Sequence, residues 1–507
     1  MPMTFLKALR LNAKRFPKKD AVVFKGQPQS YAAFQDRVER MMTVLHGQRI
    51  APGDKVAIIA ENHPDFLAAY IAITGLDAIP APVNYRIKPE IMAEVVRRAD
   101  SALLLLDETV LEHAGLFRDA VPGMLVLGER AGNTGLPLLA DMIAATPPDP
   151  PPGEGGTTIM LHTSGTTGVP KGALRSRYGM EERAIEQGFR PDDRMLCALP
   201  ICLSAGCAYT LLPLYLGGTV YLMERFEAEE ALRLITTERI TATMLLPAML
   251  QRLTEVPGFD DADLSSVRTL QSGAGEIFPD LKAKILARFG DALNIYAAST
   301  EAGPYANLRA ADLRAHMTGN CVGRPFFGVE LKLLDDDLNE VPLGEVGEIC
   351  TRSESRFDCY YKENELTNET RRGDYVTVGD LGRMDENGLL WFAGRKRDII
   401  KSGGINIYAG DIEELLINHS GIAEAHCIGL PDPHWTELIC AVIVPAPGAS
   451  LSEEDVITYA EARLERYKRP RRVVFMESVP RNLTGRVLKG ELKEQVLAQL
   501  HLQEDRG

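Results

Sequence analysis

One segment rich in glycine, serine and threonine has the composition of a polyphosphate-binding loop. It follows the apolar run Thr157–Leu161, which predicts a strand, and it reads Leu161-His162-Thr163-Ser164-Gly165-Thr166-Thr167-Gly168-Val169-Pro170-Lys171-Gly172. Glycines let backbone N–H groups approach an anion without a Cβ in the way. Four hydroxyls and Lys171 add donors and one positive charge. The loop is not a Walker A motif, because Lys171 lies between Pro170 and Gly172. The alternative is a flexible surface loop.

Two carboxylates follow apolar runs in positions that favour chemistry. Glu301 comes directly after Ser299 and Thr300, behind the predicted strand Leu293–Tyr296. A lone carboxylate is more often exposed or salt-bridged, but its place just after a strand, next to Ser299 and Thr300, favours a catalytic role. Asp380, beside Gly379, could alternatively be a β-turn residue.

The elements that must position these residues read as α/β units. Between residues 21 and 130, short apolar runs alternate with helical patterns such as Pro64–Ile73 and Ile91–Asp100, which predicts a largely parallel sheet. The segment TPPDPPPGEGG, residues 146–156, predicts a loop or linker. After about residue 325 the pattern becomes strand-rich. Beyond Gly394 a compact unit is expected, with helices at Asp411–Ile417 and Glu453–Leu464.

We therefore expect an α/β protein with a large N-terminal domain of several subdomains with mostly parallel sheets, residues 1–394, and a small α+β C-terminal domain, residues 395–507. Length supports this division, since 507 residues exceed what one hydrophobic core usually organises.

Composition narrows the function classes. Fifty-six Lys and Arg against 70 Asp and Glu give a net charge of −14, which disfavours a nucleic-acid binder. No apolar run approaches the length of a membrane span. The eight cysteines show no zinc-ligand spacing, which indicates buried free thiols in a reducing compartment. The basic N-terminus faintly resembles a transit peptide, but Phe5, Leu9 and Ala13 have helical spacing, so we expect a first amphipathic helix and a cytoplasmic protein.

Taken with five further segments, the loop resembles the signature of the adenylate-forming enzymes, the superfamily of acyl-CoA synthetases, nonribosomal adenylation domains and luciferase. These segments follow in the family's order: Ser299-Thr300-Glu301, Thr377-Val378-Gly379-Asp380-Leu381-Gly382, Gly394-Arg395-Lys396-Arg397-Asp398-Ile399-Ile400-Lys401, Glu465-Arg466-Tyr467-Lys468-Arg469-Pro470 and Pro480-Arg481-Asn482-Leu483-Thr484-Gly485-Arg486. The resemblance spans nearly the whole chain.

The resemblance implies roles for individual residues. Thr300 would contact the α-phosphate of ATP, Glu301 would hold Mg²⁺, and Asp380 and Arg395 would bind the ribose. Arg397 would be the pivot of a hinge at residues 395–398, about which a mobile C-terminal domain rotates to bring CoA to the site. The nucleotide site would also include Thr163, Ser164, Gly165, Thr166, Thr167, Gly168, Lys171, Gly273, Ala274, Tyr296, Ala298 and Ser299. The acyl pocket would include Cys202, Leu203, Ala205, Gly206, Gly275, Ala297 and Gly303, and the CoA tunnel Lys401, Ser402, Gly403 and Gly404.

Three departures from the family pattern bear on activity. Arg486 occupies the place of a lysine that bridges the carboxylate and the α-phosphate. The site accommodates arginine, or Lys489 assists, or adenylation is impaired, or the substitution was made for study; the sequence leaves these open. Leu203 stands where an aromatic residue or histidine is usual, and Ser176-Arg177, close to Arg175, replaces Ser-His. A buried arginine there could pair with a second anionic group, whereas a solvent-facing or locally paired one is the more common case. In addition to these three departures, the segment Tyr296-Ala297-Ala298 has one residue more than the usual pattern.

Among family functions, we expect an acid–CoA ligase that uses ATP, Mg²⁺ and CoA. Amino-acid activation is disfavoured, because no Asp lies near Cys202–Gly206, and the short spacing between Asp380 and Gly394 leaves no room for the insertion of fatty acyl-AMP ligases. Small apolar residues in the pocket segments favour an uncharged aliphatic or aryl acid. A carrier-protein acceptor, or an inactive nucleotide-binding variant, remains the alternative. The sequence leaves open whether the chain forms a homodimer.

Overall fold

The computed structural model describes residues 3–128, 130–163, 169–275, 277, 279–481, 485 and 487–504. Two of the predicted site features, Ser164–Gly168 of the phosphate loop and Arg486, lie outside the described residues. Among the described residues, no helix has the length and apolar character needed to cross a membrane.

Twenty-six β-strands occur in the described part of the chain. In chain order they are β1 (Asp20–Phe24), β2 (Gln27–Ser30), β3 (Lys55–Ile59), β4 (Ile79–Pro82), β5 (Ser101–Leu106), β6 (Met124–Val126), β7 (Ile159–His162), β8 (Gly172–Arg175), β9 (Arg194–Cys197), β10 (Thr219–Leu222), β11 (Ala242–Met244), β12 (Thr269–Gly273), β13 (Leu293–Ser299), β14 (Gly303–Arg309), β15 (Cys321–Pro325), β16 (Glu330–Leu334), β17 (Gly347–Arg352), β18 (Cys359–Tyr360), β19 (Arg371–Arg372), β20 (Tyr375–Met384), β21 (Leu390–Arg395), β22 (Ile400–Ser402), β23 (Ile405–Ile407), β24 (Ile422–Asp432), β25 (Thr436–Pro445) and β26 (Arg472–Phe475).

Sixteen α-helices accompany these strands within the described ranges. They are α1 (Phe5–Arg15), α2 (Tyr31–Gly47), α3 (Pro64–Gly75), α4 (Pro89–Arg98), α5 (Ala114–Phe117), α6 (Leu139–Ala145), α7 (Met180–Gln187), α8 (Ser204–Leu216), α9 (Ala228–Thr237), α10 (Pro247–Thr254), α11 (Pro279–Phe289), α12 (Ala310–Ala315), α13 (Asn364–Glu369), α14 (Ala409–Ile417), α15 (Glu453–Glu461) and α16 (Lys489–Glu504). Short 3₁₀ turns include Lys396–Asp398, directly after β21.

The largest sheet is mixed, with strand order β16-β17-β20-β21-β15-β14-β13-β12-β11-β9-β10-β1-β2 and β19 paired to β20. Strands β1, β10, β9, β11, β12 and β13 are parallel to their neighbours in this stretch. From β14 to β16 the pairing becomes antiparallel. A separate four-stranded sheet, β4-β3-β5-β6, is entirely parallel. The predicted α/β class is confirmed.

Two smaller sheets complete the fold. Strands β18, β8 and β7 form an antiparallel sheet whose β7–β8 connection is the phosphate loop. Strands β23, β22, β25, β24 and β26 form a five-stranded sheet that contains only strands after Ile400. The proline-rich segment 146–156 contains neither helix nor strand, as predicted.

Helices α3 and α8 are apolar on nearly all sides because they lie inside the core. Every residue from Asp65 to Gly75 is buried, as is every residue from Gly206 to Leu214. A helix that is buried all round needs no polar face, which explains why these sequences lack helical amphipathicity. By contrast, α1 buries one face, with Phe5, Leu9 and Ala13 inside, and the Thr4 side chain accepts a hydrogen bond from the Lys7 N–H at its start. The predicted first amphipathic helix is confirmed.

Candidate functional site

Several predicted site segments lie at the carboxyl ends of adjacent parallel strands. Strand β9 leads into Leu199–Gly206, β12 leads into Ala274 and Gly275, and β13 leads into Thr300 and Glu301. In an open α/β sheet, the loops at this edge form the crevice where ligands bind. The topology therefore brings the predicted acyl segments to the same edge as the predicted catalytic pair.

The backbones at this edge approach too closely to admit side chains. A Cβ on Gly273 would lie 2.4 Å from the Tyr296 carbonyl oxygen, and one on Gly206 would lie 1.9 Å from the Pro200 carbonyl oxygen. Ala274 has a φ of 65°, a left-handed conformation that is strained for a non-glycine residue. Strained backbone of this kind often lies at functional sites, which supports a role for the turn after β12.

The loop after β9 is fixed by one buried side chain. The Asn62 amide donates to the carbonyls of Leu199 and Met223, both at 2.9 Å, and its oxygen accepts from the Ile201 N–H at 2.8 Å. Cys202 and Gly206 are buried, whereas Leu203 and Ala205 are partly exposed. This segment therefore has a fixed backbone, and Leu203 and Ala205 are its accessible apolar side chains.

Glu301 is held in a turn that follows β13. The Ser299 hydroxyl accepts from the Ala302 N–H at 2.9 Å, and the Glu301 carbonyl accepts from the Phe357 N–H at 2.7 Å. The Tyr360 hydroxyl donates to Oε1 of Glu301. Burial, together with the Glu301 carboxylate, raises the pKa of Tyr360, so the phenol stays protonated as a donor. Oε2 of Glu301 has no hydrogen-bond partner among the described residues.

Tyr360 also connects Glu301 to the base of the phosphate loop. It pairs with Ala173 across β18 and β8, and the Lys171 Nζ atom lies 6.0 Å from its ring centroid. At that base the Thr163 N–H donates to the Lys171 carbonyl at 3.0 Å, and the Lys171 N–H donates to Oγ1 of Thr163 at 3.3 Å. Lys171 is exposed. A cation at the loop and the Glu301 carboxylate therefore flank one tyrosine.

Asp380 and Arg395 form a second charged pair near the end of β21. They are opposite residues on the antiparallel strands β20 and β21. Nε of Arg395 lies 2.9 Å from Oδ1 of Asp380, and the Tyr305 hydroxyl donates to Oδ2 at 3.1 Å. Asp380 is only 3% exposed. Since Tyr305 lies on β14, the strand beside β13, this carboxylate is tied to the strand pair that carries Glu301.

The remaining predicted nucleotide and acyl residues lie on two neighbouring strands, residues 296–299 on β13 and Gly303 on β14. Tyr296 is buried, Ala297 and Ser299 are partly exposed, and Ala298 is exposed. The ladder shifts register between Ala297 and Ala298, at the point where the sequence has one residue more than the family pattern. Gly303 approaches Ser355 so closely that a Cβ would lie 2.6 Å from the serine Oγ atom.

The predicted hinge residues connect β21 of the largest sheet to β22 of the five-stranded sheet, and the predicted tunnel residues lie within that five-stranded sheet. Arg397 is exposed within the 3₁₀ turn Lys396–Asp398. Lys401, Ser402, Gly403 and Gly404 form the β22–β23 hairpin, whose two glycines have φ values of 58° and 80°. Two consecutive left-handed residues are what a tight hairpin turn of this kind requires. Lys401, Gly403 and Gly404 are exposed, and Ser402 is buried.

Lys489 is engaged inside the C-terminal part of the chain. Its ammonium donates to Oε1 of Glu413 at 2.7 Å and to the Cys427 carbonyl at 3.1 Å. Burial opposes the charge, but the Glu413 carboxylate outweighs it and raises the pKa of Lys489. In this arrangement the Lys489 ammonium is paired with the Glu413 carboxylate. The assistance of Lys489 to catalysis therefore stays a prediction.

The two arginines after the phosphate loop have opposite environments. Arg177 is exposed and forms an ion pair with Glu354, as surface arginines commonly do with nearby carboxylates. Arg175 is 1% exposed, and its Nη2 atom donates to the Thr300 carbonyl. The expectation of a solvent-facing or locally paired arginine therefore holds for Arg177 and is wrong for Arg175, which points inward from β8.

Sequence reasoning did not find Tyr360, Tyr305 or Arg183. Tyr360 is the second residue of the two-residue strand β18 and has no motif around it, and Tyr305 lies in an apolar strand where tyrosine is ordinary. Arg183 lies on the short helix α7 among Glu181, Glu182 and Glu186, which predicts a solvated face, yet it is 4% exposed. Only the tertiary fold distinguishes these three from surface residues.

Comparisons with known proteins agree on the family. The model of the AMP-binding enzyme family matches residues 9–361, and that of the AMP-binding enzyme C-terminal domain matches residues 411–486. An indoleacetate–CoA ligase of Aromatoleum aromaticum is 32% identical over 490 residues, covering 95% of this chain and 96% of the relative. A feruloyl-CoA synthase of an Amycolatopsis species is 33% identical over 489 residues, with the same coverage. Among solved structures, the amide bond synthetase McbA of Marinactinospora thermotolerans has a TM-score of 0.88 at 28% identity, covering 97% of this chain and 99% of the other.

Proposed function

Because this chain belongs to the AMP-binding enzyme family and is an ATP-dependent acyl-CoA synthetase, we propose that it converts an aryl carboxylic acid to its CoA thioester through an acyl adenylate. The observation that carries the proposal is the link from the phosphate-loop base through Tyr360 to Glu301. Two relatives that cover nearly the whole chain are named for aryl acids, indoleacetate and ferulate, which supports the aryl class.

In the first half-reaction, the carboxylate of the acid attacks the α-phosphorus of ATP and pyrophosphate leaves. Both reactants are anionic, so the site must neutralise charge and hold them in line. Lys171 and the backbone around it would bind the β- and γ-phosphates, and Thr300 would contact the α-phosphate. Asp380 would accept from the ribose hydroxyls, with Arg395 holding the carboxylate in place.

The residues present fit a magnesium ion that arrives with ATP. Among the described residues no group of three or more His, Cys, Asp or Glu side chains could hold a metal by itself. A Mg²⁺ that retains phosphate and water ligands needs only one or two protein carboxylates, and Glu301 has an oxygen free for that purpose. The ion would neutralise charge on the phosphates, while Tyr360 fixes the orientation of the Glu301 carboxylate.

In the second half-reaction, the CoA thiol attacks the acyl carbon, AMP leaves, and the thiol proton is released. We propose that the 395–398 segment is the hinge about which the C-terminal part moves to bring the Gly403–Gly404 turn to the site. The exposed position of Arg397 in a 3₁₀ turn between two sheets supports this role.

One observation favours a different acceptor. The structure that shares the fold at 28% identity is named an amide bond synthetase, not a CoA ligase. If this chain formed an adenylate but used another acceptor, CoA would not accelerate product formation. An inactive nucleotide-binding variant, in which Arg486 blocks adenylation, would bind ATP without consuming it.

The test incubates the purified protein with Mg-ATP and either indoleacetic, ferulic, phenylacetic or hexanoic acid, with and without CoA, and identifies products by mass spectrometry. Acyl-CoA, AMP and pyrophosphate are expected with an aryl acid. Acyl-AMP that CoA does not consume would favour another acceptor. Restoration of turnover only in Arg486→Lys would favour the inactive variant.

A further inference from the structure

A cluster of buried hydrogen-bond donors lies directly behind the predicted catalytic segment. It is formed by side chains from β8, α7 and β12, together with the loop between β8 and α7. Nε and Nη1 of Arg175, Nε of Arg183, Nε2 of Gln271 and the hydroxyl of Tyr178 are all buried without a hydrogen-bond partner among the described residues. Since most buried polar atoms in proteins are paired, so many unpaired donors in one place require an explanation.

The cluster carries two buried positive charges that have no direct carboxylate partner among the described residues. Neither Arg175 nor Arg183 forms an ion pair with a carboxylate of the described residues, and arginine remains charged at physiological pH. Burial lowers the pKa of the Arg175 guanidinium and the charge of Arg183 adds to this effect, whereas the Glu301 carboxylate acts in the opposite direction without outweighing burial. Burying a charge without a direct partner lowers the free energy of unfolding. The two arginines therefore destabilise the folded protein when no anion is bound to them.

The neutral neighbours of the arginines cannot supply the missing anion. Burial raises the pKa of the Cys207 thiol to about 11, and it raises the pKa of Tyr178 well above its ordinary value. Both groups are therefore protonated at neutral pH. The Arg175 guanidinium lies 5.3 Å from the Tyr178 ring centroid, a contact that stabilises a cation but leaves its N–H donors unused.

The position of the cluster connects it to the acid-binding segments. Arg175 donates to the Thr300 carbonyl at one end. At the other end, the Arg183 guanidinium lies 5.9 Å from the ring centroid of Tyr209, which contacts the Tyr296 ring at 5.7 Å. The Tyr209 hydroxyl accepts from Nε2 of Gln187 at 2.7 Å, and the same Nε2 lies 3.2 Å from Oε1 of Gln271. Tyr296 directly precedes the predicted pocket residue Ala297 on β13, and Gln271 lies two residues before the predicted site residue Gly273 on β12.

We propose that the acid substrate carries a second carboxylate, remote from the one that is adenylated, and that Arg183 and Arg175 bind it. The inference rests on the proposed acid–CoA ligase reaction and narrows its substrate class. A carboxylate has only acceptor oxygens when ionised, which matches a cluster whose unpaired atoms are donors. Its negative charge offsets the two guanidinium groups, and the Gln271 amide supplies a further donor. The uncharged acid expected from small apolar pocket residues is thereby replaced by a dicarboxylic one.

The test compares acids that differ only in the distal group. The probes are 4-carboxyphenylacetic acid, its 4-methyl ester and phenylacetic acid, with adipic acid, monomethyl adipate and hexanoic acid as an aliphatic set. Acyl-CoA formation is followed with Mg-ATP and CoA, and kcat/KM is measured for each. We expect the diacid of at least one set to exceed its methyl ester about 100-fold, the usual effect of removing one partner of a buried charge pair.

Two variants separate recognition from folding. Arg183→Met should lower kcat/KM for the preferred diacid about 100-fold and shift preference toward its ester, with the KM for ATP unchanged. Arg190→Met changes an exposed arginine just beyond α7 and should leave that preference as it is. If Arg183→Met does not fold, the comparison of diacids with their esters in the unaltered protein still tests whether a second carboxylate is bound.

Failure of the inference and failure of the proposed function give different results. Conversion of the esters or monoacids at rates equal to those of the diacids would overturn the second-carboxylate site and leave the ligase reaction intact. Absence of acyl-AMP and acyl-CoA with every acid, in the unaltered protein and in Arg486→Lys, would overturn both.

Discussion

Arg395 and Asp380 face each other across two antiparallel strands, and the Nε atom of the arginine lies 2.9 Å from Oδ1 of the aspartate. The pair is fixed before any nucleotide binds, because Tyr305 donates to the other carboxylate oxygen from a third strand. A preorganised carboxylate spends little free energy on ordering when it accepts hydrogen bonds from a ligand.

The first prediction concerns this carboxylate. Asp380→Asn should raise the KM for ATP about 10- to 100-fold, because hydrogen bonds to a charged group contribute about 1.5–3 kcal/mol. The matched control is Asp385→Asn, in the turn of the same hairpin, where the carboxylate accepts from the Trp391 indole and Asn387 N–H. Steady-state kinetics with varied ATP checks both. Equal effects of the two substitutions would remove Asp380 from the nucleotide site.

The second prediction concerns Glu301 and its tyrosine. Glu301→Gln should lower kcat at least about 100-fold, since it removes the charge expected to hold Mg²⁺ against the phosphates. Tyr360→Phe should lower it about tenfold, because the carboxylate persists but loses the donor that orients it. Tyr361→Phe is the control, since that hydroxyl bonds Asp100 near the surface. Pyrophosphate release measures all three, and full activity of Glu301→Gln would contradict the assignment.

The third prediction concerns backbone contact at the acid-binding edge. Gly206→Ala should destabilise the fold by about 1–3 kcal/mol, because its Cβ would lie 1.9 Å from the Pro200 carbonyl oxygen and the loop after β9 must shift. Gly47→Ala is the control, with no atom within 4 Å of an added Cβ at the end of α2. Chemical denaturation gives both values. If Gly206→Ala were as stable as the control, the close approach would be incorrect.

The fourth prediction concerns the proposed hinge. Arg397→Pro should slow overall acyl-CoA formation, since proline fixes φ at the residue expected to rotate. ATP binding should be spared, because Arg397 is exposed and lies apart in the chain from the phosphate loop. Single-turnover experiments separate adenylate formation from thioester formation. Unchanged turnover in both steps would remove the hinge assignment.

The fold was largely predictable because apolar runs and helical spacing in the sequence indicate most of its strands and helices. Short apolar runs became strands with ends shifted by up to three residues, as for the predicted Leu293–Tyr296, which extends to Ser299. The predicted helix Glu453–Leu464 ends at Glu461, where the Leu464 N–H bonds the Ala460 carbonyl after the regular turn has ended. Helix α16 was missed, although its sixteen residues pack Leu492 and Val496 into a buried cluster.

The candidate site was predictable only where a motif marks it. Thr300, Glu301, Asp380 and Arg395 were expected from their segments. The structure places Asp380 and Arg395 on the paired strands β20 and β21, and Thr300 and Glu301 in the turn between β13 and β14. The burial of Arg175 could not be predicted, since an arginine at the end of a four-residue strand can face either side of the sheet. Arg183 lies among glutamates that favour solvent, and its burial depends on packing between α7 and α8, which local sequence does not record.

The proposed reaction depends most on activation of the acid through its own carboxylate oxygen at the α-phosphorus of ATP. The measurement that tests this directly uses an acid labelled with ¹⁸O in both carboxyl oxygens, with Mg-ATP and CoA, and mass spectrometry of the nucleotide product. One labelled oxygen is expected in AMP, because the attacking oxygen remains on phosphorus when the thiol displaces the acyl group. Formation of ADP, or of AMP without label alongside acyl-CoA, would contradict the adenylate mechanism.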